Sequence, residues 1–208
     1  MQSHAGASPV AIAAVVLCGG TSRRLAGRDK TRESLACTTV LDHLLDALPS
    51  DWPVVCVGEQ RATTRAVDWC RESPARGGPV AGIAAGLEHL EHLEHLDHLG
   101  RPDSGICVVL GGDLPFAAAA LPALVDALNA APGLDAVLAA DPDGRTQPLL
   151  AAYRMLALRA ALPAEPAGAR LMSVVDALVT GTVGCDARTT LDVDTPEALE
   201  QARHLAGT

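Results

Sequence analysis

The run Val10-Ala-Ile-Ala-Ala-Val-Val-Leu17 is apolar without a break and is closed by Cys18-Gly-Gly20. A strand with one wet face alternates apolar and polar residues. An unbroken run is buried on both faces and belongs in a parallel sheet covered by helices. The chain continues as Thr21-Ser-Arg-Arg-Leu-Ala-Gly-Arg-Asp-Lys30, which is polar and carries glycine, hence a loop. A buried strand opening into a glycine loop with cations is how many α/β proteins hold phosphate groups.

Working outward, a helix begins near Thr39 with Leu41, Leu44, Leu45 and Leu48 on one face and stops at Pro49. Pro53 to Gly58 reads as a second strand and Val67 to Cys70 as a short third. Gly77-Gly78-Pro79 opens a long helical stretch to about Leu99. Ile106 to Leu110 is another buried strand, ending at Gly111-Gly112-Asp113. A helix is expected from about Leu121 to Asn129, then strands at Asp135 to Ala140 and Pro148 to Tyr153 around the turn Asp141-Pro-Asp-Gly144. Helical patterns cover about 154–162 and 170–178, a last strand runs from Thr182 to Cys185, and Thr195-Pro196-Glu197 caps and starts a final helix. Strands alternating with helices predict a single three-layer α/β/α domain with a mostly parallel, Rossmann-like sheet. Ligands of such sheets bind beyond the carboxyl ends of the strands.

Composition narrows the function. The chain has 208 residues, 49% of them apolar and only 2% aromatic, so the core is aliphatic. Charged residues make up 20%, which argues against disorder. A net charge of −9 makes the chain a poor candidate for general nucleic-acid binding, which needs a clustered basic face. No apolar stretch reaches membrane-span length, and the first seventeen residues lack a basic n-region. None of the six cysteines forms a CxxC pair, and Cys18, Cys56 and Cys107 fall in or beside strands, where a thiol acts as a small hydrophobe. A reduced, cytoplasmic protein is expected. Of sixteen basic residues only Lys30 is lysine.

Residues 88–99 repeat a Glu/Asp-His-Leu triplet four times. Histidines three apart rotate by about 60° per step around a helix, so the four cannot share one face. His89 and His92 are close enough to pair on a metal, but a good site needs three or four ligands. A solvated, extended helix is the alternative. Gly19-Gly20 does not fit GxGxxG, and Arg28-Asp29 separate Gly27 from Lys30, so GxxxxGK[ST] fails too. Gly20-Thr-Ser22 is no GxSxG elbow. What remains is glycines whose amides can approach a phosphate, with Arg23, Arg24 and Lys30 as cations.

Leu17, Gly19, Gly20, Ser22, Arg24, Gly27 and Lys30 together resemble the LxGGxSxRxGxxK signature of the nucleotidyltransferases that include molybdenum cofactor guanylyltransferase. Four further stretches follow in the family's order. Glu72-Ser73 through Gly77-Gly78-Pro79-Val-Ala-Gly82 resembles its acidic segment and GPLAG, which lies against base and ribose, with Glu72 or Ser73 where the family has Asp. Gly112-Asp-Leu-Pro-Phe116 resembles its CDMPF segment. Gln147-Pro-Leu149 and Asp192-Val-Asp-Thr-Pro196 resemble its QPL and NxNTP segments, both Asn being Asp here.

The resemblance implies the nucleotide-diphospho-sugar transferase type of fold. It implies a nucleotide-binding half at about 10–115 and an acceptor half at about 116–208. It implies transfer of GMP from GTP, with Mg2+, to molybdopterin carrying molybdenum, and contact with molybdoenzyme maturation proteins. Catalysis is expected from Lys30, Arg24 and Asp113. Nucleotide contacts are expected from Leu17, Cys18, Gly19, Gly20, Lys30, Glu72, Ser73, Gly78, Gly82 and Asp113.

The residues themselves fit this assignment. Asp113 ends a buried strand, so its carboxylate projects at the sheet edge, and Mg2+ takes one or two carboxylates plus phosphate oxygens. Asp192 and Asp194 alternate on an extended segment and face one side; Asp194 is the favoured second metal ligand, the other reading being a solvated turn. Asp141 and Asp143 share that spacing, but their Pro and Gly neighbours read as a turn. A cytidylyl- or sugar-phosphate nucleotidyltransferase, or a non-catalytic nucleotide-binding module, are the alternative functions.

Overall fold

A computed structural model describes residues 10–19, 29–93 and 105–207. β1 (Ile12–Leu17) lies within the sheet, hydrogen-bonded in parallel to β4 (Val54–Val57) on one side and β6 (Ile106–Gly111) on the other. β5 (Asp68–Cys70) extends the first side. β8 (Thr146–Arg154) follows β6, then β7 (Ala136–Ala140) and β9 (Thr180–Gly184). The seven-stranded order is β5-β4-β1-β6-β8-β7-β9, and β8 runs antiparallel to both its neighbours. The sheet is therefore mostly parallel, as the uninterrupted apolar runs require.

Alternation along each strand divides the core into two layers. Ala14, Val16, Val54, Cys56, Val108 and Leu110 face one side, where α1 (Val40–Ala47) and α3 (Leu121–Ala130) pack. Ala13, Val15, Val55, Val57, Cys107 and Val109 face the other, covered by α2 (Pro79–Glu91), α4 (Met155–Ala161) and α5 (Leu171–Val175). A third cluster lies under α6 (Pro196–Ala206), where Leu199 and Ala202 meet Leu35, Val40, Phe116 and Val193. Two guanidinium groups close helix ends: Arg65 donates to the carbonyls of Leu48 and Trp52 beyond α1, and Arg154 to those of Leu128 and Leu134 around α3.

The expected elements are present with shifted ends. Thr39 and Thr195 cap α1 and α6 through their hydroxyls. Asp141 accepts from the amides of Asp143 and Arg145, so Asp141 and Asp143 form a hairpin turn. The helix expected over 170–178 is shorter because the chain turns after Val175 to enter β9. The helix expected to reach Leu99 is α2 as far as Glu91, closed by His92; His95 and His98 of the triplet repeat lie outside the described residues. A hairpin of two-residue strands, β2 (Ser34–Leu35) and β3 (Thr38–Thr39), was not expected, since so short a ladder leaves no periodic signal. No helix among the described residues is long and apolar enough to cross a membrane.

α2 packs unusually close to β1 because of Gly86. A Cβ there would lie 2.5 Å from Cγ1 of the fully buried Val15. Alanine is the better helix former by about 1 kcal/mol, but Val15 is β-branched and confined, so overpacking wins. Gly86→Ala is expected to lower stability by about 1–3 kcal/mol, read as an earlier urea midpoint. A later midpoint would show that the α2–β1 spacing is not fixed by this glycine.

Candidate active site

Three segments converge where the parallel strands end. β6 delivers Asp113. The Gly112 amide donates to the Leu17 carbonyl at 2.9 Å, folding the chain over the end of β1. A Cβ on Gly111 would lie 2.5 Å from Asp113 Oδ1, so this position stays glycine to leave room for the carboxylate. The second segment is Asp192-Val193-Asp194. The Val193 amide donates to the Asp113 carbonyl at 3.0 Å, and its side chain is fully buried in the α6 cluster. With Val193 pinned inward, the residues on either side turn out toward Asp113. The carboxylates of Asp113, Asp192 and Asp194 offer oxygens all within 4.8 Å of one another.

The third segment carries the lone lysine. Asp29 accepts from the Thr31 amide and hydroxyl and caps the turn Lys30–Arg32. The turn sends Lys30 Nζ between two of the carboxylates: it pairs with Asp113 and, at 2.5 Å, with Asp194. Burial works against the charged ammonium, yet Asp113 and Asp194 outweigh it and raise the Lys30 pKa. Asp192 lies at the exposed rim. Partial desolvation of its carboxyl, then the charges of Asp194 and Asp113, push its pKa up, with Lys30 opposing. Three carboxylates against one ammonium leave net negative charge, which a cation can neutralise. The donors are hard oxygens, and one sits at the rim; this set fits Mg2+ and its retained waters.

The described nucleotide-binding candidates lie at the end of β1 and around the start of α2. Leu17, Cys18 and Gly19 end β1 beside Gly112, whose Cβ would lie 3.3 Å from Cys18 Sγ. Gly78, at φ 90°, takes a conformation open to glycine and starts α2 without a side-chain cap, leaving first-turn amides available to an anion. Gly82 is buried, with its Cβ position 3.0 Å from Leu17, so it seats α2 against β1. Glu72 accepts from the Arg76 amide at 2.9 Å and shapes the loop before Gly77; Ser73 is exposed on that loop. The Gly168 amide donates to the Gly77 carbonyl at 2.7 Å, so the segment between α4 and α5 touches this loop. Gly20, Arg23 and Arg24 lie outside the described residues.

Asp192 joins the group beside Asp194, the second ligand the sequence favoured; it lies at the exposed rim, while Asp194 pairs with Lys30. Phe116 of the Gly-Asp-Leu-Pro-Phe stretch is held edge-on by His43, with ring centroids 5.2 Å apart, while the Arg188 guanidinium lies 4.8 Å over its ring. These contacts fix the turn that follows Asp113. His43 and Arg188 belong to no motif, and no sequence signal marks them.

The sequence matches the MobA-like NTP transferase domain over residues 14–181. It is 40% identical over 86 residues to a protein of Opitutus terrae named "Probable molybdenum cofactor guanylyltransferase"; that match spans 39% of this chain and 42% of the relative. The fold is that of molybdopterin-guanine dinucleotide biosynthesis protein A from Archaeoglobus fulgidus, with a TM-score of 0.66, 22% identity, and 93% and 98% of the two chains covered. It is also that of 2-C-methyl-D-erythritol 4-phosphate cytidylyltransferase from Thermus thermophilus, with a TM-score of 0.63, 17% identity, and 96% and 100% covered. On the extent of the first match, the chain belongs to the MobA-like NTP transferase family, an enzyme family of nucleotidyltransferases.

Proposed function

We propose that this chain is a Mg2+-dependent guanylyltransferase that transfers GMP from GTP to the phosphate of molybdenum-bearing molybdopterin and releases pyrophosphate. The observation that carries the reading is the lone lysine held among three carboxylates at the carboxyl edge of the sheet. Phosphoryl-type transfer needs positioning and charge neutralisation rather than a covalent nucleophile. Asp113 and Asp194 would hold Mg2+, with Asp192 as a third donor at the rim. When bound, the ion would neutralise charge on the reacting phosphates. Lys30 would then leave the carboxylates for the phosphate chain, and Arg24 would add a second cation against the leaving pyrophosphate. Amides of residues 18–20 and the start of α2 would hold phosphate oxygens, with Glu72 or Ser73, Gly78 and Gly82 lining the nucleoside side. The acceptor would enter over residues 116–208. Molybdoenzyme maturation proteins would receive the product in the cytoplasm, a setting that suits the six free thiols.

The cytidylyltransferase of the same fold favours a second reading, in which CTP is the donor. Pyrophosphate release with molybdopterin separates the two: GTP is expected to be turned over and CTP to be poor. Nucleotide binding without pyrophosphate release from either would mark a non-catalytic module.

Two substitutions probe the roles. Lys30→Ala is expected to lower kcat by about 100- to 1,000-fold, the loss of one charge aimed at the transition state. Without metal the unfolding midpoint should fall, since the carboxylates lose their counter-charge, and added Mg2+ should restore it. The Lys30→Met variant should also bind Mn2+ more tightly than the wild type without nucleotide, since the ammonium no longer occupies the carboxylates; titration by electron paramagnetic resonance reads this, and weaker binding contradicts it.

Asp113→Asn should nearly abolish turnover by removing an anionic metal donor. Asp194→Asn is expected to be tolerated far better, a neutral oxygen sufficing beside Asp192. Pyrophosphate release against Mg2+ concentration compares them, and equal losses would remove Asp113 from its leading place.

A further inference from the structure

Arg61 stands on the loop between β4 and β5 and belongs to none of the stretches considered above. Its side chain is only 11% exposed. Nη1 donates to Asp29 Oδ2 at 3.1 Å, and Nη2 donates to the Thr31 hydroxyl. The guanidinium lies 5.4 Å from the ring centroid of Trp69 on β5. The set suits arginine better than lysine, because one planar fork reaches the carboxylate and the hydroxyl at once while the guanidinium lies over an indole.

Both polar partners belong to the turn that presents Lys30. Asp29 caps it, and Thr31, itself 3% exposed, sits immediately after the lysine. Thr31 also reaches the other wall of the site: a Cβ on Gly112 would lie 3.3 Å from Thr31 Cγ2. A rigid connection therefore runs from the β4–β5 loop through Arg61 to Asp29 and Thr31, with Lys30 between them and Gly112-Asp113 alongside. A lysine side chain has four rotatable carbons, so where its ammonium falls depends on how firmly its backbone is held.

We propose that Arg61 is a positioning residue that locks the turn at residues 29–31 so that the Lys30 ammonium reaches the acidic cluster and, in turnover, the phosphates. Its guanidinium is committed to Asp29, Thr31 and Trp69, so it acts through Lys30 rather than on a ligand. The kinetic part of this proposal rests on the guanylyltransferase reading; the structural part does not.

Because the chain has one lysine, protein grown with lysine labelled by 15N at Nζ gives one side-chain ammonium resonance, and it reports Lys30 alone. Arg61→Met keeps the aliphatic stem against Trp69 and removes the fork. In the wild type the resonance is expected at the shift of an ion-paired, partly buried ammonium. In Arg61→Met it should move to that of a mobile, solvated lysine. Thr31→Val, which removes one acceptor of the fork, should move it in the same direction by less, and it serves if Arg61→Met fails to fold.

This readout needs no substrate, so it stands even if GTP proves not to be the donor. With GTP and acceptor, Arg61→Met should lower kcat by about 10- to 100-fold, the cost of a misplaced catalytic group, with KM for GTP changed little. Added to Lys30→Ala, it should cost nothing further, because both changes remove the same contribution. An unmoved Lys30 resonance in both variants, or losses that multiply in the double variant, would overturn the proposal.

Discussion

Three carboxylates within 4.8 Å of one another repel strongly unless positive charge stands among them. Among the described residues that charge is Lys30, paired with Asp113 and Asp194. The ammonium neutralises part of the cluster and leaves the rest for a metal. Much of the surrounding structure serves to keep these four groups together. Gly111 clears space for one carboxylate, buried Val193 aims two more, and the turn capped by Asp29 supplies the lysine.

The sheet explains why this cluster stands at one edge. β1 and β6 run parallel and in register, Leu17 against Gly111, so Cys18 and Gly112 leave the sheet side by side. The reversed strand β8 lies between β6 and β7, and the chain beyond it returns to place the Gly168 amide on the Gly77 carbonyl. The segment after β8 thereby meets the loop before α2, where, on the proposed reading, a donor nucleotide and an acceptor would face each other.

Much of this was legible in the sequence for a simple reason. Strands buried on both faces must be uniformly apolar, so the runs at Val10–Leu17 and Ile106–Leu110 announce a parallel sheet, and glycines after them mark where the chain leaves it. Asp113 and Lys30 followed from their places beyond those runs. Other features were not legible because they depend on contacts between distant segments. Arg61 reaches Asp29 across 32 positions, and Arg188 reaches Phe116 from the far end of the chain. That Asp192 joins the cluster depends on Val193 meeting Asp113. The β2–β3 hairpin has strands of two residues, too short for a period to show.

A crystal structure with Mn2+ and a non-hydrolysable GTP analogue tests the central claim most directly. The account predicts an anomalous manganese peak bounded by Asp113 and Asp194, with Lys30 Nζ moved from those carboxylates to a phosphate oxygen. Manganese bound away from the cluster, or nucleotide seated while Lys30 keeps both carboxylate partners, would contradict it.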